Sequence, residues 1–478
     1  MKKYFLTIAV AFICLYVSAQ GNDISFTSAD TSLQIAFQRA KSTALHFKGK
    51  PDDAVGPWYE SALPPRFAFC MRDVSHQSLG AEALGLGKEN KNMFGLFAAN
   101  ISADKDWCSY WEINRTGKPA PEDYRDDKHF WYNLNANFDV LNACWELYLW
   151  TGNQEYIHGK IFANFYKKTV NEFIKVWVLQ PDSLLTRSAH PNVTLPYDPN
   201  DSFQRCRGLP SYSEGVPNIK MGADLVAAIY RGLLSYAEIL KLDGNTTEAG
   251  LITAKAEAYR QELENNWWDS SENLYNTYFN SSGAYGKNEG ETFLLWFDAL
   301  KNPVRRDKTL HHLFEKDWNI ENTSYFPLIM YQNGYWDKAY NYMMYLTNPQ
   351  TPRHDYPEVS YGVIKGFVQG LMGIDPDARY NRLSTIYRNG SDVSSTMQDV
   401  PVLHTTVNLT HFNKKASTIL NTGNKTISWR PMFSGGFKFI YINGKPLQAR
   451  HDKNSTGGII SYTDVTVNAG QKVSAKTQ

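Results

Sequence analysis

Apolar positions recur at three- and four-residue spacing from about residue 30 to about residue 374, the period of one helical face. Leu33, Phe37, Ala40, Ala44 and Phe47 form one such stripe, and Leu134, Phe138, Leu141, Trp145 and Leu149 a second. Leu225, Ile229, Leu233, Tyr236 and Leu240 form a third; Val359, Val363, Phe367 and Leu371 form the last. Several runs stop at glycine turns, Thr151-Gly152-Asn153, Asp243-Gly244-Asn245 and Asn333-Gly334, and a fresh helical pattern soon follows. Roughly twelve helical segments in antiparallel pairs are expected, which predicts six hairpins closed into an (α/α)6 toroid. Longer polar stretches at 104–128, 179–217, 280–290 and 350–358 alternate with the short turns, as a two-ended ring requires. Long loops in a compact domain tend to carry function.

After Asp375-Pro376 the pattern changes to short alternating runs: Val402 to Val407, Thr418 to Leu420, Ile427 to Trp429, Phe437 to Ile442, and Val465 to Val467. Asn443-Gly444 is a hairpin signal, because both residues tolerate the positive φ of a tight turn. These runs predict a small C-terminal β-sandwich-like module. The expected organisation is a signal peptide over 1–19, an (α/α)6-barrel catalytic domain over 20–375 and a β-rich domain over 376–478.

The leader reading rests on Lys2 and Lys3, the apolar run Phe5 to Val17, and the small residues of Val17-Ser18-Ala19. It places the mature chain in the periplasm or outside the cell. No other apolar run is long enough to cross a bilayer. The formal net charge is +1 with no basic block, which excludes nucleic acid as a partner. Cys70, Cys108, Cys144 and Cys206 are widely spaced and form no CxxC pair, so they read as free thiols or disulfides rather than zinc ligands. Neither a nucleophile elbow nor a phosphate-binding glycine loop is present, and no metal or cofactor is expected. The sequence leaves the oligomeric state open.

Aromatic residues make up 14% of the chain, and many stand beside polar or glycine positions, Trp107, Tyr110, Trp111, Trp131 and Tyr132 among them. Sugar rings present flat C–H faces with a hydroxyl rim, so aromatic platforms edged by polar groups suit them. Such rings also serve as ordinary core. In Pro64-Pro65-Arg66-Phe67-Ala68-Phe69-Cys70-Met71-Arg72-Asp73-Val74-Ser75-His76-Gln77, polar groups are packed between apolar ones just before a helical pattern. Arg72 and Asp73 face one ligand only if they straddle the entry to that helix, and His76 then follows on the Asp73 face. Read without a ligand, Arg72 and Asp73 are an ion pair at a helix start.

Glycoside hydrolysis generally uses two carboxyl groups, one protonated and one ionised. Glu214, in Tyr212-Ser213-Glu214-Gly215, and Glu358, in Tyr356-Pro357-Glu358-Val359, each close a polar loop immediately before a helix. We expect Glu214 to protonate the glycosidic oxygen and Glu358 to activate water. Each also reads as a charge stabilising a helix N-terminus. Glu289, Glu291, Asp355 and Asp73 are rivals, and Glu291 is placed among the substrate-binding residues with Arg72, Asp73, His76, Gln77, Arg207, Trp131 and Tyr132. His311-His312 lacks a carboxylate cluster and reads as surface.

Arg72-Asp73-Val74-Ser75-His76-Gln77 resembles the Arg-Asp-Ser/Thr-x-Gln segment lining the sugar pocket of several (α/α)6-barrel glycoside hydrolases and phosphorylases. The loop ending at Glu214 with Asp224-Leu225-Val226, and Glu358-Val359-Ser360-Tyr361-Gly362, resemble their acid- and base-carrying regions, although Gly215 stands where trehalases and glucosidases have an Asp-x-Ser-Pro-Arg run. The longer context from Pro57-Trp58-Tyr59-Glu60 to Gln77 most resembles glycoside hydrolase family 154, which implies exo-β-glucuronidase activity. A uronic acid needs a cation for its carboxylate, and Arg72, Arg205 and Arg207 are available. The alternatives are an unsaturated uronide hydrolase or lyase, a neutral-sugar exo-glycosidase, and a glycan-binding protein without catalysis.

Overall fold

The computed structural model describes residues 24–61 and 63–478, so the expected leader lies outside the described residues. Six inner helices, Met71–Ala83, Ala136–Thr151, Ala223–Leu242, Glu291–Trp296, Ile320–Gln332 and Pro357–Lys365, pack each on the next, and the last closes on the first. Outside them lie Thr31–His46, Gly87–Ala99, Lys160–Lys168, Thr246–Asn266, Pro303–Glu315 and Trp336–Leu346. Burial explains the division. Ala136–Thr151 and Ala223–Leu242 are buried nearly all round, whereas Thr246–Asn266 buries a single stripe, Ala249, Ala256, Tyr259 and Leu263. The protein is an (α/α)6 toroid with a C-terminal strand-rich region, as the helical period predicts.

The inner helices approach closely at small residues. A Cβ on Gly80 would stand 2.5 Å from the Tyr361 carbonyl oxygen, and one on Gly362 would stand 2.6 Å from that of Ser324. These two glycines therefore set the spacing of three neighbouring staves.

The strand-rich region forms two sheets. One runs in the order Ser25–Ser28, Ser395–Val402, Thr405–Asn413, Ala416–Asn421, Lys472–Lys476, Phe439–Ile442, Lys445–Gln448. The other is built on Arg382–Ile386 and Ile427–Ser434, with Trp429 Nε1 donating to Thr385 Oγ1 between them. Strand Ser25–Ser28 comes from the far N-terminal side of the helices, a pairing that the alternation after Asp375 did not reveal. The expected single strand from Val402 to Val407 is instead a hairpin turned at Leu403 and His404, both at positive φ. Asn443-Gly444 forms the expected turn, with φ of 49° and 82°. The sheets dock on the C-terminal ends of the inner helices: Arg388 donates to the carbonyls of Gln369 and Gly370, and Trp150 Nε1 donates to the Pro401 carbonyl. The polar loops at the other end are tied by short pairings, among them Ala68–Cys70 with Glu112–Asn114 and Tyr132–Asn133 with Arg207–Leu209. Cys70, Cys108, Cys144 and Cys206 are buried and free, and no helix among the described residues is long and apolar enough to cross a membrane.

The close approach at Gly80 inverts the usual helix rule that alanine stabilises where glycine stood. Gly80→Ala is expected to destabilise by about 1–3 kcal/mol, while Gly95→Ala, where a Cβ meets nothing within 4 Å, is expected to stabilise by up to ~1 kcal/mol. Thermal denaturation of the two variants checks the pair.

Candidate active site

A cavity of about 260 Å³ opens at the N-terminal ends of the inner helices. It is lined by Arg72 and Asp73 from the first turn of Met71–Ala83, by Tyr212 to Gly215, and by Asn288 and Glu289 at the entry to Glu291–Trp296. Asn319 capping the helix Ile320–Gln332, Glu321, Asn322 and Tyr325 on it, and Glu358 on the last inner helix complete its polar wall. Residues from near positions 72, 214 and 358, far apart in the chain, thus share one mouth.

Each side chain is held from below. The strand Ala68–Cys70 runs directly into the helix at Met71, so Arg72 and Asp73 both emerge in the first turn. Arg72 Nε donates to Asp73 Oδ1 at 3.2 Å and Nη1 to Glu214 Oε1 at 3.4 Å, while its guanidinium lies 4.9 Å over the Tyr212 ring and 5.7 Å over Trp111. Buried Asp224 fixes the loop that carries Glu214: it accepts from the Tyr212 amide at 2.6 Å, from Ser211 Oγ at 3.0 Å and from Asn135 Nδ2 at 3.3 Å. Ser213 Oγ ties this loop to the Glu289 carbonyl, and Asn319 and Asn322 hold the Glu289 carboxylate. Arg353 donates to Glu321 at 2.8 Å and to Glu358 at 3.1 Å, from a backbone held at φ 61°, a strained position of the kind found at functional sites.

Beneath the floor, His76 Nδ1 lies 2.8 Å from the Tyr325 hydroxyl and Nε2 lies 3.5 Å from Asp139 Oδ1, whose other oxygen accepts from the Tyr212 hydroxyl at 2.5 Å. The His76–Tyr325 and Tyr212–Asp139 bonds fix the two phenols that wall the cavity.

Five carboxyl groups line a largely buried space. Burial pushes the Glu358 carboxyl up to about 8, with Asp73 and Glu321 adding to the rise and Arg353 and Arg72 opposing it. Burial also raises Glu214, against the pull of Arg72, and raises Asp73, again opposed first by Arg72. A carboxyl that keeps its proton near neutrality beside others held by guanidinium groups is the arrangement that acid–base hydrolysis requires.

Of the residues singled out from sequence, Arg72, Asp73, Glu214 and Glu358 meet at this cavity, with His76 one layer beneath. Four others are elsewhere. Arg207 is buried, paired with Asp106 and packed over Phe130 and Trp177. Tyr132 is fully buried, its hydroxyl donating to Asn137. Trp131 packs against the hydrophobic core and does not line the cavity. Glu291 turns outward to His312, 2.6 Å from Nδ1, which also removes that histidine from the free surface. Gln77 is buried beside the floor with no hydrogen-bond partner for either amide atom. The cavity's rings are instead Tyr212, Phe293 and Tyr325. Glu321 was missed, although Asn319-Ile320-Glu321-Asn322 has the same polar-loop-to-helix form that marked Glu214 and Glu358. Arg353 was missed because its role depends on a turn conformation.

No family model matches this sequence, and no curated protein matches it. Solved structures do. An α-L-rhamnosidase from Dictyoglumus thermophilum superposes with a TM-score of 0.60 at 12% identity, over 96% of this chain and 51% of that one. A GH78 family rhamnosidase of Bacillus sp. GL1 gives 0.54 at 12% identity, covering 84% and 40%, and a sialidase gives 0.55 at 10% identity, covering 92% and 41%. The chain spans about half the length of these proteins or less, and identities this low establish a shared fold: the (α/α)6 barrel with strand-rich domain of six-hairpin glycosidases.

The raised Glu358 carboxyl has a consequence for stability. Its pKa in the folded chain exceeds the ordinary value of 4.5, so its contribution is fully present below about pH 4.5 and is lost as pH rises through about 8. Glu358→Gln is therefore expected to stabilise the protein by about 1–3 kcal/mol above pH 8 and to leave it unchanged near pH 4. Melting temperatures across that range check the sign.

Proposed function

We propose that this chain is an exported glycoside hydrolase that removes a terminal sugar from an oligo- or polysaccharide. The observation that carries this reading is the pairing of Glu214 and Glu358 on one cavity sized for a single ring. That cavity shares no lining residue with a second one at the far end of the barrel. His76, Phe293, Trp296 and Tyr325 pack together between the two, with ring centroids 4.9–5.6 Å apart. A blind cavity admits a chain end and not a chain interior. Export rests on the leader pattern of residues 1–19.

Glu214 is the proton donor in this reading. It borders both this cavity and an adjoining one, which is where an acid must stand to reach the oxygen between a terminal sugar and its leaving group. Glu358, away from that junction, activates water. A second assignment, with Glu358 as the donor, is favoured by its strongly raised pKa.

The resemblance to glycoside hydrolase family 154 proposes glucuronic acid as the terminal sugar, its carboxylate on Arg72. The charge of the cavity favours a neutral sugar. Asp73, Glu214, Glu289, Glu321 and Glu358 line it against one guanidinium that already serves two of them. A uronate has to enter that pairing against five carboxyl groups; a neutral ring accepts hydrogen bonds from Arg72 and donates to the carboxylates. We therefore propose a neutral terminal sugar, with rhamnose, named for two of the fold neighbours, as the first to try.

Release of nitrophenol from α-L-rhamnoside and β-D-glucuronide, together with hydrolysis of disaccharides, tests this. Wild type is expected to prefer the neutral sugar, and Glu358→Gln to lose about 10²–10⁴-fold on all substrates. Glu214→Gln is expected to lose as much on disaccharides but far less on nitrophenyl glycosides, whose leaving group needs no proton. The reverse pattern makes Glu358 the donor, and full activity in both variants removes the pair.

A further inference from the structure

A second cavity, of about 440 Å³, adjoins the first and shares Ser213, Glu214 and Gly215 with it. Its walls come from the long loop expected at 179–217, and its charge is of the opposite kind. Glu214 is the one carboxylate among its lining residues, facing Arg205 and His190. Arg205 is exposed and forms no ion pair among the described residues, whereas Arg72, Arg207 and Arg353 are all paired with carboxylates. The ring of His190 packs on that of Tyr197 with centroids 5.2 Å apart. Close to His190 stands Arg187, which is 3% exposed and donates Nη1 to the Lys220 carbonyl, while Nε and Nη2 have no partner. It too forms no ion pair among the described residues. Burial, and then the charge of Arg187, hold the His190 imidazole below its ordinary range.

Two adjoining spaces thus meet at Glu214, one walled by carboxylates and the other by a guanidinium outside any ion pair among the described residues, with a second one buried nearby. We propose that the second cavity is the leaving-group subsite and that Arg205 selects an anionic sugar there, one carrying a carboxylate or a sulfate. The proposal rests on the glycosidase reading and names its substrate class: a neutral terminal sugar attached to an acidic residue. Arginine suits the task because its planar fork pairs with both oxygens of such a group. The His190 and Tyr197 rings offer a sugar face an apolar wall.

The test uses disaccharides that share one terminal sugar and differ in the reducing-end residue: a uronic acid, its carboxyl-reduced neutral counterpart, and a sulfated form. Wild type is expected to show kcat/KM about 10-fold or more higher on the uronide than on the neutral disaccharide, with the ratio shrinking as salt is added. The sulfated arm shows which anion the site prefers. Arg205→Gln is expected to bring the ratio close to one, and Arg205→Lys to restore part of it. Equal kcat/KM for charged and neutral disaccharides in wild type, or a preference that survives Arg205→Gln, overturns the proposal. Nitrophenyl glycosides are assayed alongside, since failure on every glycoside is a failure of the hydrolase reading. In that event calorimetry of wild type with the free uronic acid and its neutral counterpart decides the Arg205 site separately: tighter uronate binding supports it, and equal affinity overturns it.

Discussion

Gathering Asp73, Glu214, Glu289, Glu321 and Glu358 around one cavity costs desolvation and mutual repulsion, and the helical ring is oriented so as to offset both. Every inner helix starts at this end, so the unsatisfied amides and positive dipole ends of the staves converge on the carboxylates. Arg72 and Arg353 each bridge two of them, and Asn319 and Asn322 hold the fifth. What remains is carried by protons. At the opposite end the same dipoles present carbonyls, and there Arg388 donates to the last turn of the final inner helix. The orientation of the helices thus sorts the charges of the molecule.

The architecture was legible because it is repetitive. Stripes such as Leu225, Ile229 and Leu233 repeat a period that any buried helix must show, and glycines at 152, 244 and 334 mark its ends at φ of 75–84°. Strand Ser25–Ser28 was not legible, since four residues before a helix show no period and their partner lies some 370 residues away. For the site, the rule that a carboxylate closing a polar loop before a helix lies at the mouth held for Glu358; Glu214 also reaches the mouth, but the strand Ile219–Gly222 separates it from the helix that starts at Ala223. The rule failed for Glu291, which is the first residue of its helix and is buried against His312. Trp131, Tyr132 and Arg207 were misplaced for a related reason. Their loop is not a free rim but is stitched to Arg207–Leu209 by a parallel pairing that turns Tyr132 and Arg207 inward.

Position and protonation are set by different parts of the fold. Glu214 is placed by a loop that Asp224 and Ser211 hold, whereas its protonation is set first by burial, which raises its pKa, and then by Arg72 on another stave, which opposes the rise. The phenols of Tyr212 and Tyr325 are held by Asp139 and His76 respectively, two side chains that face each other at 3.5 Å beneath the cavity.

The packed rings of His76, Phe293, Trp296 and Tyr325 also bear on how successive substrates are handled. Lys365 sits 4.1 Å over the Trp296 ring, so the seal is backed by a buried cation on the side of the far cavity. On the hydrolase reading proposed above, a monosaccharide liberated in such a well leaves by the mouth once the shortened chain has let go, and trimming is distributive, one residue per encounter.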